Sequence, residues 1–228
     1  MNAVVLASGG LDSTVTAAVA KQDGCVLHLL TIAYGQRHQV EVERAKQVAQ
    51  ALDAAGHVVL NLDLRSIGGS ALTADLAVPK DRSEAERGQR IPVTYVPVRN
   101  TIFLALAAAY AETLDAPRIY FGANVVDYSG YPDCRPEYIQ AFEQALRLGT
   151  KRGAEGKEAV AIVTPLLLLT KAEIIRLGLA LRAPLHLTHS CYDPAADGKA
   201  CGRCDSCRIR IEGFLTAGVA DPIAYASA

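Results

Sequence analysis

The opening sixty residues alternate between short apolar runs and longer stretches of helical periodicity, and this alternation narrows the fold more than any other feature of the chain. Residues 3–7 form a wholly apolar, strand-like run, and residues 11–22 are rich in alanine and close near Gly24, as a helix with a glycine stop does. Residues 25–32 read as a second buried strand, residues 39–54 carry the 3.6-residue pattern up to Gly56, and residues 58–60 read as a third strand. Strands that are apolar on both faces, alternating with helices, predict a doubly wound α/β fold with a parallel sheet covered on both sides. A ligand of such a sheet lies at the carboxyl ends of its strands.

The chain has 228 residues, 50% of them hydrophobic and 21% charged, which suits one large domain with a sizeable core and excludes a disordered composition. A net charge of −1 gives no global attraction to nucleic acid or to an anionic membrane, so any polyanion must be met locally. The richest apolar run, residues 160–169, is broken by Thr164 and Pro165 and falls short of the roughly 18 residues a spanning helix needs. The first residues carry no basic segment, so no signal peptide is expected and a cytoplasmic location with reduced thiols is. In that setting, four of six cysteines falling within residues 191–207 suggest a metal before they suggest disulfides.

Further along, residues 75–90 are polar, with Pro79 and Gly88, and are expected to form a mobile surface excursion. Residues 99–114 read as a long apolar helix, 118–121 as a strand, and 136–148 as a helix opened by a proline in its first turn. The loop between the last two, residues 122–135, is long enough to be functional. Thr170 and Glu173 have capping-box spacing at the start of a helix ending near Leu181. The expected division is a nucleotide-binding α/β domain over residues 1–185 and a four-cysteine segment with a final helix over residues 186–228.

Ser8, Gly9, Gly10, Leu11, Asp12 and Ser13, with Thr14 beside them, fall between the first strand and the first helix, where backbone N–H groups and the positive helix end favour an anion. The glycines allow close approach of a phosphate, Ser8 and Ser13 supply donors, and Asp12 can hold magnesium. Neither G-x-x-x-x-G-K-[ST] nor G-x-G-x-x-G is present, which disfavours a P-loop NTPase and a Rossmann dehydrogenase. The plain alternative is a tight strand-to-helix turn with Asp12 favouring the helix dipole.

This string resembles the S-G-G-x-D-S signature of the PP-loop ATP pyrophosphatases, which cleave ATP to AMP and pyrophosphate as a substrate oxygen becomes adenylated. Residues 34–38 (Tyr-Gly-Gln-Arg-His), 96–100 (Val-Pro-Val-Arg-Asn) and 127–135 (Asp-Tyr-Ser-Gly-Tyr-Pro-Asp-Cys-Arg), together with the clustered cysteines, are similar to the 7-cyano-7-deazaguanine synthase family within that superfamily. The resemblance implies an ATP-dependent carbon–nitrogen ligase of queuosine precursor biosynthesis acting on 7-carboxy-7-deazaguanine. ATP adenylates the carboxylate, ammonia displaces AMP to give an amide, and a second adenylation and loss of AMP leave the nitrile. It also implies that Tyr34, Arg37, Asp127, Tyr128, Tyr131, Asp133 and Arg135 line the base site. A guanine-like edge presents N–H donors that a carboxylate accepts, and tyrosine faces stack on the rings, so Asp127 or Asp133 with Tyr128 and Tyr131 supply both functions.

Arg99 and Lys171 each fall just inside an expected helix start, where a cation opposes the helix dipole; an anion nearby explains both, as does a solvated surface charge. Cys191, Cys201, Cys204 and Cys207 read C-x9-C-x2-C-x2-C, a spacing that suits a closed tetrahedral zinc site. An iron–sulfur cluster is the rival, although the fourth cysteine of the ferredoxin pattern followed by proline is missing. His189 is a minor competitor for a ligand position, Cys25 reads as a core residue, and Cys134 as a passive lining residue of the base site.

Expected cofactors are therefore ATP as co-substrate, Mg2+ and structural Zn2+, with a small deazapurine and ammonia as partners, no nucleic acid and no membrane; a homodimer is left open. Two rival functions stand: a tRNA thiolase using the same adenylation, which would need a persulfide-carrying cysteine or a cluster, and an adenine-nucleotide-binding regulator without turnover.

Overall fold

The computed structural model describes residues 1–36, 40–87, 91–126 and 130–226. Its element order is β1 (Asn2–Leu6), α1 (Leu11–Gln22), β2 (Val26–Ala33), α2 (Val40–Ala51), β3 (Gly56–Asn61), α3 (Glu84–Arg87), α4 (Arg99–Thr113), β4 (Arg118–Tyr120), α5 (Pro136–Gly149), α6 (Lys151–Ala154), β5 (Ala161–Val163), α7 (Lys171–Ala180) and α8 (Asp205–Ala217). The strands pair in parallel in the order β3-β2-β1-β4-β5. The chain thus builds one half of the sheet outward from β1, returns through α4, and adds β4 and β5 on the other side. The order reverses between β1 and β4, where a crevice opens at the carboxyl ends of the strands.

The period-2 alternation of each strand divides its side chains between the two faces. Val4, Leu6, Leu30, Ile32 and Ile119 join one core with Leu104, Ala107, Ala108 and Ala111 of α4. Ala3, Val5, Leu27, Leu29 and Tyr120 join a second with Ala17 and Ala20 of α1 and Val48 and Ala49 of α2. A third cluster links Leu11, Val15 and Ala18 of α1 to Ile174 and Ile175 of α7 and to Phe214 of α8. The contact of α7 with α8 is close because residue 213 is glycine: a Cβ there would lie 2.4 Å from Cγ of Lys171. Among the described residues no helix is long and apolar enough to cross a membrane.

One strand carries no signal in the sequence, and one expectation is corrected. Residues 161–163, seen in the sequence only as part of a broken apolar run, form the edge strand β5, paired with β4 over three residues. Residues 75–90, expected to be a mobile excursion, are anchored where they are described. Lys80 bridges Cys204, the Asp81 N–H donates to the Arg203 carbonyl at 2.9 Å, and Arg82 forms an ion pair with the buried Asp205. Local composition read this stretch as loose because its charged side chains find their partners more than a hundred residues away.

Candidate active site and metal centre

The loop between β1 and α1 is held in shape by its own hydroxyls. The Thr14 N–H and the Ser13 and Thr14 hydroxyls all donate to the Gly10 carbonyl, and Ser13 Oγ accepts from the Ser8 N–H at 3.2 Å. Gly9 has φ of +80°, and a Cβ there would lie 2.3 Å from the Glu41 carbonyl and 2.7 Å from the Ala45 nitrogen, so α2 presses against the loop at a spot that accepts only glycine. Asp12, in the first turn of α1, receives both of its short contacts from Lys171, at 2.6 and 2.8 Å.

Lys171 is delivered from the start of α7. The capping box expected there is formed, with Thr170 Oγ1 accepting from Glu173 N at 3.3 Å and Glu173 accepting from the Thr170 N–H at 2.8 Å. The turn before it is fixed by Asn124, whose side-chain amide donates to the carbonyls of Leu166 and Leu169 at 2.8 and 2.6 Å. The loop leaving β4 therefore sets the position of the lysine that faces the phosphate loop.

A cavity of about 270 Å³ opens at the carboxyl ends of β1, β2 and β4. Ser8, Gly10, Leu11, Asp12, Ser13 and Lys171 form one side, and Tyr34, Arg99, Phe103 and Tyr131 form an aromatic and cationic wall on the other. The Arg99 guanidinium sits 5.5 Å from the Tyr34 ring centroid and 5.8 Å from that of Phe103, and donates to the Tyr34 hydroxyl at 3.3 Å. Among the described residues its buried Nε has no hydrogen-bond partner. A buried donor left open in a ligand cavity is a ready place for an anion. Burial pushes the Tyr34 phenol up to about 12, so it remains a neutral hydroxyl beside the arginine.

Arg99 follows a strained residue. Val98, the N-cap of α4, adopts φ of +56°, a left-handed conformation that a β-branched side chain rarely takes and that costs about 1–3 kcal/mol. Nothing in the sequence signals this.

The remaining base-site residues separate. Tyr131 lines the cavity, its ring tilted 33° against that of Tyr95 at 5.8 Å, whereas Arg135 is exposed at the start of α5. Asp133 is buried, and its carboxylate accepts from the Asn100 N–H at 2.9 Å and from the Asn100 side-chain amide at 3.1 Å. The structure therefore gives Asp133 the task of closing the first turn of α4, outside the residues that line the cavity. Arg37, Asp127 and Tyr128 lie outside the described residues. Cys134 does line the cavity, and burial, reinforced by the neighbouring Asp133 charge, pushes its thiol up to about 12. Sequence reasoning missed Glu41, Ser190 and His189, all of which line the cavity. Glu41 had a signal available, since it stands one helical turn beyond the string at residues 34–38.

Cys191, Cys201, Cys204 and Cys207 bring their sulfurs within 4.8 Å of one another. Cys191 to Cys204 and Cys201 to Cys207 are each 4.0 Å, close to the roughly 3.8 Å that four sulfurs at 2.3 Å from a tetrahedral ion would have. Backbone N–H groups of Cys201 and Asp193 point at the Cys191 sulfur, and those of Arg203 and Cys204 at the Cys201 sulfur, at 3.2–3.4 Å. Donors aimed in this way favour thiolates, and so does the amino end of α8, which carries Cys204 and Cys207. His189 is not part of this cluster.

An open parallel sheet with a serine- and glycine-rich loop at its switch point, faced by an aspartate–lysine pair, defines an ATP-using enzyme of the PP-loop type. NMN synthetase from Francisella tularensis shares the fold, with a TM-score of 0.50 and 16% identity over 96% of this chain and 78% of that one. Residues 2–218 match the family described as queuosine biosynthesis protein QueC, and the chain belongs to that family. It is 59% identical to the 7-cyano-7-deazaguanine synthase of Solidesulfovibrio magneticus, over 98% of this chain and 95% of the relative. Identity to the enzyme of the same name from Geobacter metallireducens is 57%, over 99% and 93%. The chain is thus an ATP-dependent ligase of queuosine biosynthesis with the family's nitrile-forming activity.

Proposed function

We propose that the cavity joins 7-carboxy-7-deazaguanine to ammonia in two adenylation rounds, giving first the amide and then 7-cyano-7-deazaguanine, with AMP and pyrophosphate released in each. The observation that carries this reading is the division of one cavity into a phosphate-type side around Asp12 and Lys171 and an aromatic side around Tyr34, Arg99 and Tyr131. Ser8, Gly9, Gly10, Leu11, Ser13 and Thr14 cradle the pyrophosphate end of ATP, since backbone N–H groups at a helix start suit an anion. Lys171 offsets charge building on the departing pyrophosphate, and Arg99 offers its open Nε to the carboxylate or the α-phosphate. Each Asp12 oxygen keeps a lone pair beyond its contact with Lys171, which suits a magnesium ion; the ion would neutralise phosphate charge.

Tyr131 offers a face for the bicyclic base, and Asp127 is the carboxylate assigned to its guanine-like edge. The four thiolates suit zinc, and a closed four-sulfur shell leaves no position for water, so the ion serves structure. Cys134, the cysteine lining this cavity, stays a thiol at neutral pH, which weighs against a sulfur-carrying role. The test is incubation with ATP, magnesium, the carboxylated base and ammonium, followed by mass identification of products. AMP, pyrophosphate and the nitrile are expected; ADP as the nucleotide product would overturn the reading.

A further inference from the structure

The chemistry assigned to this cavity releases protons that need an acceptor. When ammonia attacks the acyl adenylate, a C–N bond forms, the bond from carbon to the AMP oxygen breaks, and one N–H proton must leave. When the amide oxygen is adenylated, the nitrogen carries two protons and the carbon bears AMP; collapse to the nitrile expels AMP and both protons. Lys171 and Arg99 are cations held for negative charge, the Tyr34 phenol is a very weak acid, and Asp12 is engaged by Lys171.

Glu41 remains. It stands in the first turn of α2, where its own carbonyl abuts Gly9 of the phosphate loop; it is among the residues that line the cavity, and its carboxylate interacts electrostatically with Arg99 and Tyr34. Among the described residues no hydrogen bond to its carboxylate is present, and Arg99 is the charge acting on it. A carboxylate placed in a ligand cavity without hydrogen-bond donors is costly to keep for stability alone.

We propose that Glu41 is the proton acceptor of both nitrogen-bearing steps, taking the proton lost as ammonia displaces AMP and, in turn, those lost as the adenylated amide becomes the nitrile. The carboxylate returns each proton to solvent through the open mouth of the cavity before the next transfer. Burial supports this by raising its affinity for a proton, to a pKa of about 7, against the opposing pull of Arg99. The amino end of α2 also brings Glu41 beside the adenylation site without placing it on the phosphates.

The assignment rests on the adenylation reading of this cavity, and the two are separated by partial reactions. Formation of the acyl adenylate moves no proton from nitrogen, so it is followed by base-dependent exchange of labelled pyrophosphate into ATP. Amide and nitrile are followed by mass. In E41Q, amide and nitrile formation should fall by about 10²-fold or more while exchange changes by no more than ~3-fold. In E41A, added formate should restore part of amide formation, an effect that a purely structural glutamate would not show. Nitrile formation by E41Q at close to the wild-type rate would overturn the proposal. So would an equal loss of exchange and nitrile formation in E41Q together with no formate rescue of E41A. Absence of exchange in the wild-type protein would instead overturn the adenylation reading itself.

Discussion

The backbone N–H of His189 donates to the carbonyl oxygen of Gly9 at 2.9 Å, tying the strand of chain that enters the cysteine cluster to the phosphate loop. The next residue adds a second tie, since Ser190 Oγ accepts from the Leu11 N–H at 3.4 Å, and Cys191 follows it. The cysteine cluster is therefore tied in space to a phosphate loop that lies far from it along the chain.

Replacing Cys204 by Ser should lower zinc content, melting temperature and ATP affinity together. Cys204 caps α8 and is fully buried, and residues 190–199 contain too few apolar side chains to order themselves without the ion. A loss of only ~3 kcal/mol corresponds to a fall in Tm of ~6–12 °C in a chain of this size. Metal analysis by mass spectrometry beside a melting curve checks it. Full zinc retention, or stoichiometric iron with labile sulfide in the wild-type protein, would reject a structural zinc site.

The Asp12–Lys171 pair should matter more to turnover than to folding. Its side chains keep 31% and 13% exposure, so water partly screens the attraction in the ligand-free state. During adenylation the same lysine faces growing phosphate charge, and losing one such contact costs about 10²–10³-fold in kcat. K171M and D12N should each reduce pyrophosphate release on that scale with melting curves close to wild type. A large drop in Tm with unchanged specific activity would reverse the assignment.

The two aspartates of the loop after β4 should part company. Asp127, the assigned reader of the base edge, should as D127N weaken base binding by roughly 1.5–3 kcal/mol and leave ATP binding nearly unchanged, measured by calorimetry. Asp133 holds the start of α4, so D133A strands the Asn100 N–H in a buried position and should cost about 1–3 kcal/mol of stability. Denaturant melts measure the second effect, and a D133A protein as stable as wild type would show that the Asn100 contact is dispensable.

What the sequence made legible was local or periodic. The bounds of α1, the capping box of Thr170 and Glu173, the glycines of the phosphate loop and the cysteine spacing all announce themselves within a few residues. What it hid depends on distant partners. Asp133 looked like a pocket carboxylate because its partner Asn100 lies 33 positions away, and residues 75–90 looked loose because Arg82 pairs with Asp205, 123 positions on. β5, three residues long, is recognisable only once β4 offers it an edge. Glu41 reads as an ordinary acidic residue favouring a helix start until the fold turns α2 toward the cavity.

Glu41 should make stability depend on pH in a direction opposite to that of an ordinary paired carboxylate. Its folded pKa of about 7 lies above the usual 4.5, raised by burial and only partly restored by Arg99. Between those values the folded protein binds more protons than the unfolded chain, so the contribution of Glu41 to stability is fully present below about pH 4.5 and is lost as pH rises through 7. Tyr34 and Cys134, which also feel the Arg99 charge, stay protonated across this window. Substitution by glutamine removes the titration while keeping the shape, so E41Q and wild type should melt alike near pH 4.5. Above pH 7 the variant should be the more stable by roughly 1–3 kcal/mol, with the gap opening between the two values. Thermal melts of both proteins from pH 4.5 to 8.5 measure this directly, other titrating groups cancelling in the difference. A gap that is constant with pH, or one that closes as pH rises, would show that the Glu41 carboxylate is not held in the water-poor setting that its proton-accepting role requires.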